Sequence, residues 1–430
     1  MPCLSAQFRI LPDMPQLDFK KKKRSFRQFV RLISIVSLIP YFGSSMPLTQ
    51  EQAPDSTDAK IILYVYHGRA IKDSKWGKIA AFQKVLGDQL RSCGKHEIAN
   101  SIKSDGVFGQ KTKDAIITLT SCPGFESFAV SSSNPLHGAI TIELWRKLLP
   151  GTPLPSVQER AFALSLSYED TDYDRAEWNF IEKDGKILPQ PNDPKSCLTW
   201  VPYGATFGHG GEVSEILKQV HSKNPSLLEK SFGSELPTLL QVMNSHPKNC
   251  ADLLMNDVFA NRQKRDFWKE KFRGLGAIPE VREIYEEYAW KSNKWLKPNL
   301  KTLYAGFFAN NSDHTKATEI DFAFFTDLSM HMSITTERVT KAATALTEKE
   351  NRLGRPLSPA ERRQVIGKNM VPTGQQKDRM GRNVAFYVDG IGESNLSNEE
   401  RMAWEARGKR KASNCGLSDS RTFFPSFLKS

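Results

Sequence analysis

Long apolar runs are scarce in this 430-residue sequence, and with 39% hydrophobic residues a multi-span membrane protein is excluded. The 27 glycines and 24 prolines are too few and too scattered for a collagen-like chain, and 25% charged residues fall short of full disorder. Cysteine is sparse as well. Of six, no two stand in CxxC spacing, so a structural zinc site has no support. His209 and His221 stand too far apart, with too few companions, to argue for a metal, and no cofactor is expected. No internal repeat appears at periods of 20 to 50 residues, which excludes a solenoid. What is present is length for two or three domains at roughly 150 residues each. There is also an excess of positive charge, 60 Lys+Arg against 48 Asp+Glu, net +12. A basic chain favours an anionic partner: nucleic acid, a membrane surface or an acidic wall polymer.

Half of that excess lies in residues 1–46, where Arg9, Lys20 to Lys23, Arg24, Arg27 and Arg31 face only Asp13 and Asp18. The mostly apolar stretch Leu32–Phe42 follows, then Gly43-Ser44-Ser45. Eleven residues at 1.5 Å rise cannot cross a bilayer core of about 30 Å. A basic segment, a short apolar one and small residues afterwards read as a secretory signal, with Met14 as an alternative start. The expectation is an exported protein, periplasmic or secreted, with no stable membrane span once the signal is removed. Beyond residue 46 the remaining positive excess is not clustered beside aromatics, so nucleic acid is not an expected partner.

Residues 61–150 read as one domain. Ile61–Tyr66 is a strand or a helix start. Ile79, Phe82, Val85, Leu86 and Leu90 form a helical stripe within 76–90, and shorter helices are expected over 112–119 and 141–149. Pro150-Gly-Thr-Pro-Leu-Pro155 interrupts the pattern and marks a boundary. A second domain, 156–345, opens with a helix ending near Glu169. It continues through strands and loops over 178–208, then through helices including Phe267–Leu275, Val281–Trp295 and Phe322–Met332. Residues 346–430 form a polar extension, partly helical, with capping boxes at Ser358/Glu361 and Ser397/Glu400. The fold class expected is mainly α (α+β).

Within the first domain, Asp105-Gly106-Val107-Phe108-Gly109-Gln110-Lys111-Thr112 reads as an Asp-Gly turn, a core plug at Phe108 and a tight helix entry, with Ala115 further on. With the preceding Phe82-Gln-Lys-Val-Leu86 helix this resembles the three-helix peptidoglycan-binding domain, whose hallmark is DGxFGxxTxxA. The resemblance implies peptidoglycan as partner and a shallow groove between helices as the binding surface. Because Cys93 and Cys122 flank this module, they are the expected disulfide.

In the second domain, Ser167-Tyr168-Glu169-Asp170 closes a helix with a carboxylate that opposes the helix dipole, which suggests a role other than stability. A carboxyl among Tyr168, Tyr173 and Trp178 is expected to hold a proton and serve as general acid. Together with Leu198–Gly210, this arrangement resembles the lysozyme-like superfamily, specifically phage-type muramidases and the related bacteriocin pesticin. The resemblance implies a catalytic trio of Glu169, Asp193 and Thr199, the last two six residues apart. Asp170 replaces the usual Gly, the Glu-to-Asp separation carries an insertion near 182–191, and Val201 replaces another Gly. Glu177 and Thr206 are rivals for the roles of acid and threonine, and Trp200, Tyr203 and Thr206 are expected to bind substrate. The function implied is an exported peptidoglycan hydrolase. The alternatives are a non-catalytic wall-binding or scaffold protein and a lytic transglycosylase working with one Glu. Oligomeric state is not legible.

Overall fold

The computed structural model describes residues 61–428, except 170–171, 192–193, 209–210, 247–250, 309–315 and 372–375. The expected targeting segment lies outside the described residues. The protein is mainly helical, with small sheets of two or three strands. No described helix is long and apolar enough to cross a membrane.

The chain enters as strand Ile62–Tyr64, pairing antiparallel with Ile140–Thr141, while Ile71–Lys72 pairs with Val107–Phe108. Helices Lys78–Ser92, Gln110–Leu119 and Ile142–Leu148, with the short His96–Ser101, complete this module. Of the expected stripe, Ile79, Phe82, Leu86 and Leu90 are fully buried and Val85 partly so, and Phe82 stacks on Trp145 at 5.8 Å. The DGVFG segment works as a backbone device. Asp105 accepts from the Val107 amide, and Gly106 adopts φ +74° where a side chain would collide with the Ser74 carbonyl at 2.5 Å. Gln83 then ties the turn to the helix, donating to the Val107 carbonyl and to Thr112 Oγ1. Every motif side chain so engaged serves packing.

Cys93 and Cys122 form the expected disulfide across a sequence separation of 29. Closing a loop of that length is worth about 3.6 kcal/mol in the chain-entropy model. Replacing both cysteines with serine is therefore expected to lower unfolding stability by that amount, read from the denaturant midpoint. Equal midpoints for the two proteins would refute it.

Helix Val157–Leu166 starts from a full capping box between Ser156 and Glu159 and is buried along nearly its whole length. A three-stranded antiparallel meander follows, Ala176–Trp178, Ser196–Trp200 and Ala205–Gly208 in that spatial order. The insertion is a separate hairpin, Phe180–Lys183 with Lys186–Pro189, turned by Asp184-Gly185, both at positive φ. The remaining chain is helical, and the capping boxes at Ser358 and Ser397 form as read.

Pro150–Pro155 is no flexible joint. One hydrophobic core runs from Leu63 to Leu417 across it. The Lys72 amide donates to Ser167 Oγ, Ser74 Oγ and the Lys75 amide donate to Asp172, and Lys78 pairs with Glu159. Residues near the C-terminus pack against the first described strand: the Val65 amide donates to the Asn414 carbonyl, and a Cβ on Gly416 would meet the Ile62 carbonyl at 2.0 Å.

Candidate functional site

Helix Val157–Leu166 tightens at its end, where the amides of Tyr168 and Glu169 reach back three residues to Ser165 and Leu166. That turn presents Glu169, its side chain 36% exposed, to a cavity of about 410 Å³. The walls come from four stretches of chain: Arg69, Ala70 and Lys72, then Val107, before the Pro-rich segment, Ser167 to Glu169, and Ala406 to Gly408 with Arg410 near the C-terminus.

The surroundings of Glu169 differ from the aromatic cage expected. Tyr173 and Trp178 pack elsewhere, Tyr173 against Tyr285 and Tyr203, and Trp178 against Phe259 and Trp268. Glu169 Oε1 instead accepts from Arg382 Nη1, and His331 Nε2 lies 3.9 Å away. Oε2 has no hydrogen-bond partner among the described residues.

Arg382 also holds Asp327, which is fully buried. Its Nη2 reaches Asp327 Oδ1 at 2.5 Å, and Arg379 Nη2 reaches Oδ2 at 2.8 Å. Arg379 and Arg382 stand three residues apart on helix Gln376–Val384, and so face the same way. Burial alone would raise the Asp327 carboxyl, but the charges of Arg382 and then Arg379 outweigh it and hold the group well below the usual carboxylate range. His331, one turn after Asp327, is pushed well below its ordinary value by burial and then by Arg382. Neutral imidazole suits the 2.7 Å contact in which Arg382 Nη2 donates to its Nε2.

The second group of expected residues assembles on the meander. Glu177, Thr199 and Thr206 are direct cross-strand partners, forming one row on the open face. Asn179 Nδ2 donates to Thr199 Oγ1 at 2.8 Å, and Thr206 Oγ1 donates to Glu212 at 3.0 Å. Glu177 pairs with Arg175 and Lys269. Partial burial would raise its carboxyl, but hydrogen bonds from Arg175 and then Lys269 outweigh that and hold it below the usual value. Both of its oxygens are engaged, Oε1 by Arg175 and Oε2 by Lys269, and it lines no part of the Glu169 cavity. Glu169 makes no hydrogen bond or ion pair with this row, and no residue of the row lines its cavity. Asp193 and His209 lie outside the described residues.

Two expected substrate binders are corrected. Trp200 neighbours Thr199 on a pleated strand, so it points to the opposite face. It is fully buried, its indole N–H donating to the Tyr173 carbonyl and its ring set against Phe272 and Tyr285. Tyr203 is also buried, stacked on Phe162 at 4.2 Å, with its hydroxyl accepting from Trp290 Nε1. Neither ring has a face open for a sugar.

Arg382, Asp327, Arg379 and His331 were missed by the sequence reading. The available signal was an Asp and a His four residues apart inside the otherwise apolar stretch Phe322–Met332. Among the described residues no cluster of His, Cys, Asp or Glu is arranged to hold a metal ion. No family model, no curated protein and no solved structure matches this chain.

Proposed function

We propose that the protein is an exported peptidoglycan hydrolase that cleaves glycan strands, with Glu169 as the proton donor to the glycosidic oxygen. The observation that carries this is the placement of Glu169, a carboxylate at the end of a buried helix and on the wall of a cavity of about 410 Å³. Oε1 is anchored by Arg382, which leaves Oε2 as the oxygen to carry and deliver a proton. Support also comes from the order of elements, a helix, the carboxylate, an antiparallel meander and then helices. The first module adds a cavity of about 210 Å³, bounded by the end of helix Gln110–Leu119, residues 127–139 and the start of helix Ile142–Leu148, as a candidate wall-binding groove. The Cys93–Cys122 bond suits an oxidising, exported setting.

In this reading Asp193 and Thr199 hold the attacking water. The separation of Thr199 from the Glu169 cavity favours a second reading, a lytic transglycosylase in which one Glu serves both proton steps and no water is positioned. Purified sacculi distinguish the outcomes. Clearing with reducing muropeptide ends is expected for the hydrolase, and 1,6-anhydro ends would move the assignment to the transglycosylase. No clearing would leave only a wall-binding role.

A further inference from the structure

Arg69 and Arg410 stand together at the cavity beside Glu169, which Lys72 and Arg407 also line, and Glu169 is the acidic group among its described lining residues. Glu169 is itself already met by Arg382. The cations are held at close quarters. The guanidinium carbons of Arg382 and Arg410 lie 4.8 and 5.1 Å from the centre of the same Tyr168 ring. Arg410 is fixed by donating to the Ala70 and Arg407 carbonyls, and its Nη2 has no partner among the described residues. Arg69 is exposed and has no carboxylate partner among the described residues. Burial pushes Arg410 below its ordinary value, and the charges of Arg69 and Arg382 push the same way against Tyr168. The Tyr168 hydroxyl is buried without a hydrogen-bond partner among the described residues, although its ring lines the cavity. Like charges gathered in a partly desolvated pocket are costly unless an anion joins them. An unpaired buried hydroxyl is costly for the same reason.

We propose that this cavity is an anion subsite that takes a carboxylate of the bound glycan, with Arg69 and Arg410 as its principal ligands. Guanidinium groups are suited to carboxylates because they offer two parallel N–H donors. The volume is within the range of small-molecule sites, enough for a sugar and its acidic arm. The subsite rests on the hydrolase reading for the identity of its carrier, while the pairing of Arg69 with Arg410 at the cavity stands without it. It also gives the first module a share in the site, since Arg69 and Lys72 precede the Pro-rich segment.

The test is calorimetric titration of the full chain with three probes. These are a neutral N-acetylglucosamine disaccharide, the N-acetylglucosaminyl-N-acetylmuramic acid disaccharide with its free lactyl carboxylate, and the same disaccharide carrying a peptide. At least one acidic probe is expected to bind roughly tenfold or more tightly than the neutral one, with the preference shrinking as salt rises. Preference for the lactyl form assigns the lactyl carboxylate, and preference for the peptide form alone assigns the stem. Arg69→Gln, at an exposed position, is expected to erase most of that preference without changing the neutral probe or the melting midpoint, and Arg69→Lys to retain part of it. Arg410→Gln is expected to act in the same direction. Equal binding of neutral and acidic probes, no binding of either acidic probe, or an unchanged preference in Arg69→Gln would overturn the subsite. Charge preference without sacculus lysis would overturn the hydrolase reading alone, and lysis without charge preference would overturn the subsite alone.

Discussion

Glu169→Gln is expected to lower sacculus lysis by at least 10²- to 10⁴-fold, the span of general acid catalysis, while sedimentation with sacculi stays unchanged. The substitution keeps the shape of the side chain and an oxygen able to accept from Arg382 Nη1, so the contact that fixes the group survives. What it removes is a transferable proton. Binding is expected to survive because the substitution touches neither the helices of the first module nor its cavity. The control is Glu177→Gln. Glu177 is a half-exposed partner of Arg175 and Lys269 and lines no part of the Glu169 cavity, so lysis within about twofold of the parent is expected. Turbidity and product analysis on the three proteins decide the matter. Near-normal lysis by Glu169→Gln would remove the proton donor from this residue.

The parts of this fold that were legible in the sequence are those written locally. A stripe of apolar residues at helical spacing placed the first helix, and its inward members are buried as read. Ser-x-x-Glu patterns placed two helix starts in the C-terminal region, because a capping box needs only four consecutive residues. The DGVFG segment was legible for the same reason: its turn, plug and helix entry are settled within eight residues. What was not legible depends on partners far along the chain. Helix Glu319–His331 buries Glu319, Asp321 and Asp327, and arginines from elsewhere meet each of them: Arg160 and Arg421, then Arg363, and the pair Arg379 and Arg382. Nothing near residues 319–331 announces those arginines. The C-terminal region therefore read as a polar extension, while four of the five stand within it and one reaches Glu169.

The same distance effect misplaced the aromatic residues. Trp200 and Tyr203 stand beside the threonine that marks the site by resemblance, which made them attractive as sugar platforms. The strand's two-residue alternation sends Trp200 inward, and Tyr203 fills a space bounded by Phe162, Tyr285, Trp290 and Trp295. The Pro-rich segment misled in a related way. Composition reports that residues 150–155 take no regular structure, but not that Lys72, Ser74, Lys75 and Lys78 bond across it. The first module is thus a docked wall of the site across that boundary.

Asp327→Asn is expected to cost about 3–5 kcal/mol of unfolding free energy at neutral pH, the loss found when one partner of a buried ion pair is removed. Asp327 is fully buried and is the shared anion of Arg379 and Arg382, each only 2–3% exposed. Without its charge both guanidiniums remain in the core, and Glu169, at the cavity wall, is the one carboxylate left to Arg382. Arg379 already has two buried nitrogens without partners among the described residues, so it has little to fall back on. The pH dependence follows from the sign of the shift. Asp327 is held below the ordinary carboxylate range when folded, whereas in the unfolded chain it titrates near the usual value of about 4. Its contribution is therefore complete above that value and is lost as the pH falls from there toward the lower folded value. The gap in stability between parent and Asp327→Asn, read by denaturant titration, should stay level between pH 5 and 8 and narrow below about pH 4. A gap that is absent at neutral pH, or that widens in acid, would show that Asp327 does not hold the two arginines as an ionised partner. The network that positions Arg382 on Glu169 would then need another anchor.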